Sequence, residues 1–153
     1  MSSTLLILHA LVGAALLGAL THQVIAALGR DRRPSGSFVA RYASVSAGAF
    51  PRAIVFLYVV QFTLGALLYP AYRLEVRIPF EEMSLAWAIG SFELKEHFAG
   101  IGLMALPLYL ASWRPHSPLV HPRDRIGLSM LLAGIVWWDF LIGHILNNIR
   151  GLG

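Results

Sequence analysis

Four side chains in this sequence could do chemistry in an apolar setting: the imidazoles of His9, His97 and His144 and the carboxyl of Asp139, each set within a long hydrophobic run. The chain has no cysteine. Thioether-attached haem, cysteine-held iron–sulfur clusters, cysteine zinc sites and disulfides are therefore excluded, and any bound metal must be held by His, carboxylate or Met. No GxGxxG unit, phosphate-binding P-loop, HExxH or GxSxG motif occurs either, so most nucleotide-dependent, zinc-hydrolase and serine-hydrolase chemistries lack their signature residues.

Two chemical uses suit three histidines on separate segments. In the first, two of His9, His97 and His144 clamp a haem b iron from facing helices. A flat macrocycle needs small neighbours, and Gly13, Gly100 and Gly143 stand beside the three histidines. Its propionates need cations or donors near water, for which Arg73, Arg77, Lys95, Arg150, Tyr69 and Tyr72 are candidates. In the second use, His9, His97 and His144 bind a single Cu, Fe or Zn ion, joined by Glu93 or Glu96; Glu93 and His97 are four apart and share a helix face. Against that, Glu93 and Glu96 also suit the first turns of a helix, where carboxylates complement its dipole. Packing histidines, hydrogen-bonded between helices, are the third option.

Asp139, in Trp137-Trp138-Asp139-Phe140, should face the interior of a helix bundle, either on a proton path or as a polar clasp between helices. His22 is 13 residues from His9, about 140° out of phase on a helix, which disfavours a two-haem helix. With Ala14 and Gly18 it forms a small-xxx-small stripe that predicts close helix packing, and only a second haem would make it a ligand. His116 and His121 belong to a proline-rich loop, and Met104 reads as packing.

The elements that must position these residues follow from composition. Of the 153 residues, 57% are hydrophobic and 13% charged, about half the charge an ordinary soluble surface carries. The chain reads as an all-α, polytopic membrane protein. A hydrocarbon layer of about 30 Å takes around 20 helical residues, and residues 4–28, 53–72, 92–113 and 126–148 meet or approach that length, giving one four-helix transmembrane domain over 1–153. The first run lacks a basic leader and is too long for a signal peptide's core, so it reads as a retained helix. Placed by depth, His9 lies about 7 Å in from the outer end of the first helix, and His97 and His144 fall at nearly the same level on the third and fourth.

Charge sets the orientation. The first loop carries Arg30, Arg32, Arg33, Arg41 and Arg52 against Asp31, and the third carries Arg114, Arg123 and Arg125 against Asp124. The second is acidic, with Glu75, Glu81, Glu82, Glu93 and Glu96 against Arg73, Arg77 and Lys95. Basic loops stay inside, so both termini and the second loop face outward, toward the periplasm if the membrane is a bacterial inner membrane. The net charge of +4 reports this topology and not nucleic-acid binding. Phe38, Val39, Tyr42 and Val45 at helical spacing predict a short interfacial helix in the first loop. Pro79, Phe80, Leu85, Trp87 and Ile89 predict a surface segment that Gly90-Ser91 breaks from the third span, and Asn147-Asn148 should end the fourth.

In helix number, inward histidines and outer-side cations the chain resembles the small four-helix cytochromes b that anchor respiratory complexes, although no diagnostic motif accompanies the likeness. The resemblance implies haem b, electron transfer between a periplasmic donor and quinone or another membrane subunit, and proton uptake assisted by Asp139. The alternatives from other classes are a non-catalytic accessory or assembly subunit and a small His-ligated metal protein.

Overall fold

The computed structural model describes residues 3–29, 37–114 and 121–150. Among these, 91% are helical and there are no strands. The long helices are α1 (Ser3–Leu28), α3 (Pro51–Tyr72), α5 (Ala86–Ser112) and α6 (Pro122–Arg150). Short helices fill two connections: α2 (Phe38–Ala43) with a 3-10 turn at Ala47–Ala49, and a π-helical stretch Arg73–Arg77 leading into α4 (Ile78–Glu82). The long helices pack pairwise, α1 on α3 and α6, and α5 on α6 and α3. Large side chains face outward on all four, Ile7, Leu11, Phe56, Leu67, Met104 and Leu141 among them, the surface expected of helices in lipid and not in water.

Among the described residues, three helices are long and apolar enough to cross a membrane: Ser3–Leu28, Pro51–Glu82 and Arg123–Ile149. That is the signature of a multi-pass membrane protein. The fourth long helix, α5, has the length, at 27 residues, but Glu93, Lys95, Glu96 and His97 in its N-terminal half make that half polar.

Several sequence-based boundaries move. The second span does not stop at 72. It runs on through π turns between Pro70 and Pro79, where missing N–H donors favour a local change of hydrogen-bond register, and ends at Glu82. There the Leu85 N–H donates to the Phe80 carbonyl and the Ser84 N–H to that of Glu81, with Ser84 at φ 56°. This is a Schellman stop with serine where glycine is usual. Gly90-Ser91 is no break, because α5 already starts at Ala86. Tertiary burial explains the correction: Phe80 and Ala88 are fully buried in an apolar cluster with Tyr72, Val76 and Leu146, so the expected surface segment is folded into the structure. Asn147 and Asn148 do not end α6, which continues to Arg150.

A second, inner cluster comprises Leu16, Leu20, Ile54, Tyr58, Leu106, Tyr109, Leu132, Ala133 and Val136. The C-terminal end of α5 and the N-terminal end of α6 are tied together beside it. Arg125 Nε donates to the Ser112 carbonyl at 2.8 Å, Trp113 Nε1 to Ser129 Oγ at 3.3 Å, and the Arg125 guanidinium lies 5.2 Å from the Trp113 ring centre. Pro107 stays within α5.

Candidate functional site

Between the two apolar clusters lies a layer of polar side chains, one or more from each long helix: His9 from α1, Gln61 from α3, Lys95 from α5 and Asp139 from α6. The Gln61 amide donates to His9 Nε2 at 3.2 Å. Gly13 makes room for that amide, since a Cβ there would stand 2.9 Å from it, and Gly65 packs 3.4 Å from the His9 ring on the same measure. Lys95 lies along Gly143, its Cε 3.7 Å from where a Cβ would be, with its ammonium 5.1 Å from the Phe92 ring centre. Three atoms of the layer, His9 Nδ1, Gln61 Oε1 and Asp139 Oδ1, are buried without a hydrogen-bond partner. A buried polar atom left so is costly, about 1–3 kcal/mol, and points to a missing partner such as water.

Lys95 is beside Gly143, which puts the turns carrying His97 and His144 near one level, and Gly65, beside His9, is two turns along α3 from Tyr58, which bonds the Ala99 carbonyl, so His9 falls close to that level. A common level is not convergence. His9 faces the interior, whereas His97 and His144 are exposed. His97 sits about 140° around α5 from Gly102, which is buried, and shares an outward stripe with Glu93 and Met104, the latter 81% exposed. Among the described residues no group of three His, Asp or Glu side chains is placed to hold one metal ion, so His9, His97, His144 and Glu93 are not brought together.

The glycines beside the histidines have different roles. Gly13 and Gly143 accommodate Gln61 and Lys95, while beside Gly100 the space is open. His97 Nδ1–H donates to the Glu93 carbonyl at 2.6 Å. A carbonyl only accepts, so in the neutral ring the proton is on Nδ1 and the Nε2 lone pair is free. His144 Nε2 accepts from Asn148 at 3.3 Å.

Of the cations, Arg73 and Arg77 line an open groove of about 470 Å³ with Pro70, Leu74, Ile78 and Glu81. Arg77 pairs with Glu81 at 2.8 Å and Glu93 at 3.4 Å, so Glu93 links Arg77 to the turn carrying His97. Tyr69 and Tyr72 stack nearby, Tyr72 lying 3.5 Å from the Phe92 ring centre. The Arg150 side chain lies outside the described residues, as does His116. His121 caps the start of α6, its backbone N–H donating to Asp124 at 3.1 Å.

His22 has a packing role, but not the expected one. Nothing approaches Gly18, so no close contact forms along that stripe. Instead the His22 ring stacks on Tyr42 with centres 3.7 Å apart, and Nε2–H donates to the Tyr42 carbonyl at 2.8 Å, fastening α2 to the inner end of α1. His22→Ala should release α2: amides 38–43 would exchange faster in deuterium, with little change in the thermal stability of the long helices. Unchanged exchange there would show that α2 docks by other contacts.

Gln61 and Tyr58 were not singled out from sequence. The available signal was that Gln23 and Gln61, the chain's two glutamines, each interrupt an apolar run. No protein-family model, curated protein or solved structure matches the chain.

Proposed function

We propose that this protein is a haem b-binding subunit that transfers electrons within a larger, respiratory-type membrane complex, coupled to quinone or a periplasmic donor. On this reading α1, α3, α5 and α6 form a four-helix transmembrane bundle in a bacterial inner membrane, with both termini and the α4–α5 turn outside. The basic first and third loops and the acidic second loop support that orientation.

The observation that carries the haem assignment is the state of His97. Its Nδ1–H is committed to the Glu93 carbonyl, leaving Nε2 free on an exposed helix face beside the open space at Gly100. An imidazole fixed through one nitrogen, with the other free, is the arrangement that ligating histidines adopt. Arg77, paired with Glu93, supplies a cation for a propionate, and Arg73 lines the same outer groove. His97 faces away from the bundle, so a haem held there would be shared with a second chain. Bound haem supplies one-electron chemistry; the part of this chain is to orient the His97 ring, through Glu93, and to place cations at the outer surface.

The test is the visible spectrum of the protein purified with its membrane partners. A Soret band that shifts on reduction is expected, lost in His97→Ala and kept in His22→Ala. A colourless, metal-free preparation would sink the haem reading and leave an accessory or assembly subunit.

A further inference from the structure

The helical run from Pro51 to Glu82 is longer than a membrane needs. Its 32 residues extend about 48 Å at a rise of about 1.5 Å per residue, against about 30 Å of hydrocarbon. The stretch from Ala53 to Tyr72 carries no charged residue and is itself long enough to cross that layer. Arg73, the first charge after it, therefore stands at the level of the lipid headgroups, with Arg77 at the far end of the same π-helical stretch.

One face of this extension is packed and the other is open. Tyr72, Val76 and Phe80 are buried in a cluster with Ala88 and Leu146. Pro70, Arg73, Leu74, Arg77, Ile78 and Glu81 follow one another along the other side and line the open groove of about 470 Å³. All six belong to the same helical run, so the groove opens to the surroundings of the protein and not between two of its long helices. At this depth the surroundings are phospholipid. Leu74 and Ile78 are exposed there, apolar carbon set beside guanidinium groups. The two cations are not answered alike. Arg77 Nε bonds Glu81 at 2.8 Å, and its Nη1 lies 3.4 Å from Glu93. Arg73 is exposed and makes no ion pair among the described residues. Its planar fork of N–H donors suits the oxygens of a phosphate.

We propose that this groove binds an acidic phospholipid, with the phosphate on Arg73 and the glycerol and first acyl carbons along Leu74 and Ile78. An acidic headgroup fits where a zwitterionic one does not, because choline or ethanolamine would set a second cation beside the unanswered guanidinium. Glu81 does not oppose the phosphate at Arg73, since it lies two turns away and is bonded to Arg77. A haem at His97 draws on Arg77 through Glu93, whereas the lipid is held by Arg73, so this site does not rest on the haem reading.

Native mass spectrometry of the full chain, released from nanodiscs holding equal amounts of phosphatidylglycerol and phosphatidylcholine, tests this. Phosphatidylglycerol should be retained in preference. Arg73→Gln should lower that preference about fivefold, the effect of one arginine at an anionic surface, and Arg114→Gln, beyond the other end of α5, should leave it unchanged. Equal retention of the two lipids in the wild type, a preference that survives Arg73→Gln, or an equal loss in both variants would overturn the proposal. An excess of inorganic phosphate separates the two sources of the anion. The lipid adduct should withstand it, because free phosphate makes no contact with Leu74 and Ile78; displacement would show a phosphate site and sink the lipid assignment.

Discussion

Gly102→Ala is expected to lower stability by about 2–4 kcal/mol, among the largest effects a single methyl can have in this protein. The added Cβ would fall on the Tyr58 hydroxyl and stand 2.7 Å from Cζ of the same ring. Tyr58 cannot simply swing aside: it is 3% exposed, packed in the inner cluster, and its hydroxyl donates to the Ala99 carbonyl at 3.0 Å. Accommodating the methyl therefore strains the packing, at about 1–3 kcal/mol, and breaks an interhelical hydrogen bond worth roughly 0.6 to 1.7 kcal/mol in membrane bundles. Reversible denaturant unfolding in mixed micelles would measure the loss. The mechanism has a clear control. In a Tyr58→Leu background the Cβ has no ring to meet, so Gly102→Ala should become nearly neutral. An equal penalty in both backgrounds would show that the cost arises from α5 itself.

The same contact shows why part of the structure was legible in the sequence and part was not. Long apolar runs divided by charged loops report spans directly, because burying backbone in lipid demands helices of fixed length. Hence the limits of α1, expected at 4–28, agree with Ser3–Leu28 almost to the residue. The continuation of the second span past Tyr72 and the early start of α5 were missed because Phe80 and Ala88 owe their burial to Tyr72, Val76 and Leu146, and no local pattern encodes a contact made by other helices. Rotation was hidden for a related reason. Depth along a helix is a matter of counting, and it placed His9, His97 and His144 near one level. Which face points inward depends on neighbours, and only His9 points in. Asp139 could be assigned to the interior from sequence because an isolated carboxyl among Trp137, Trp138 and Phe140 has few other places to go. Its companions were less visible. Gln61 is uncharged, and Lys95 stood among acidic residues that looked like an ordinary solvated helix start.

The second large effect is expected at the inner end, where polar side chains are fully matched and not left open. The Tyr109 hydroxyl donates to Gln23 Oε1 at 2.6 Å, and Gln23 Nε2 donates to the Ala47 carbonyl at 3.2 Å, a chain running from α5 through α1 to the 3-10 turn. Tyr109 and Gln23 are both 0% exposed. Tyr109→Phe removes one hydroxyl and leaves Gln23 Oε1 buried without a donor, a cost of about 1–3 kcal/mol. Gln23→Leu leaves the buried Tyr109 hydroxyl and the half-buried Ala47 carbonyl unanswered, and should cost about 2–4 kcal/mol. The double variant replaces the whole Tyr–Gln pair with apolar groups of similar size, so it should be destabilised by clearly less than the two single losses together, by about 1–2 kcal/mol. Denaturant unfolding of the four proteins in one detergent closes the cycle. Losses that add within about 0.5 kcal/mol would mean that the two side chains act independently despite their short contact. The comparison also separates two kinds of buried polarity in one protein. At Gln23 and Tyr109 the bonds are made within the protein, and their removal should reduce stability. Asp139 Oδ1 is left without a partner in the protein, so replacing Asp139 with Asn breaks no such bond and should cost less stability than either single loss at the Tyr109–Gln23 pair.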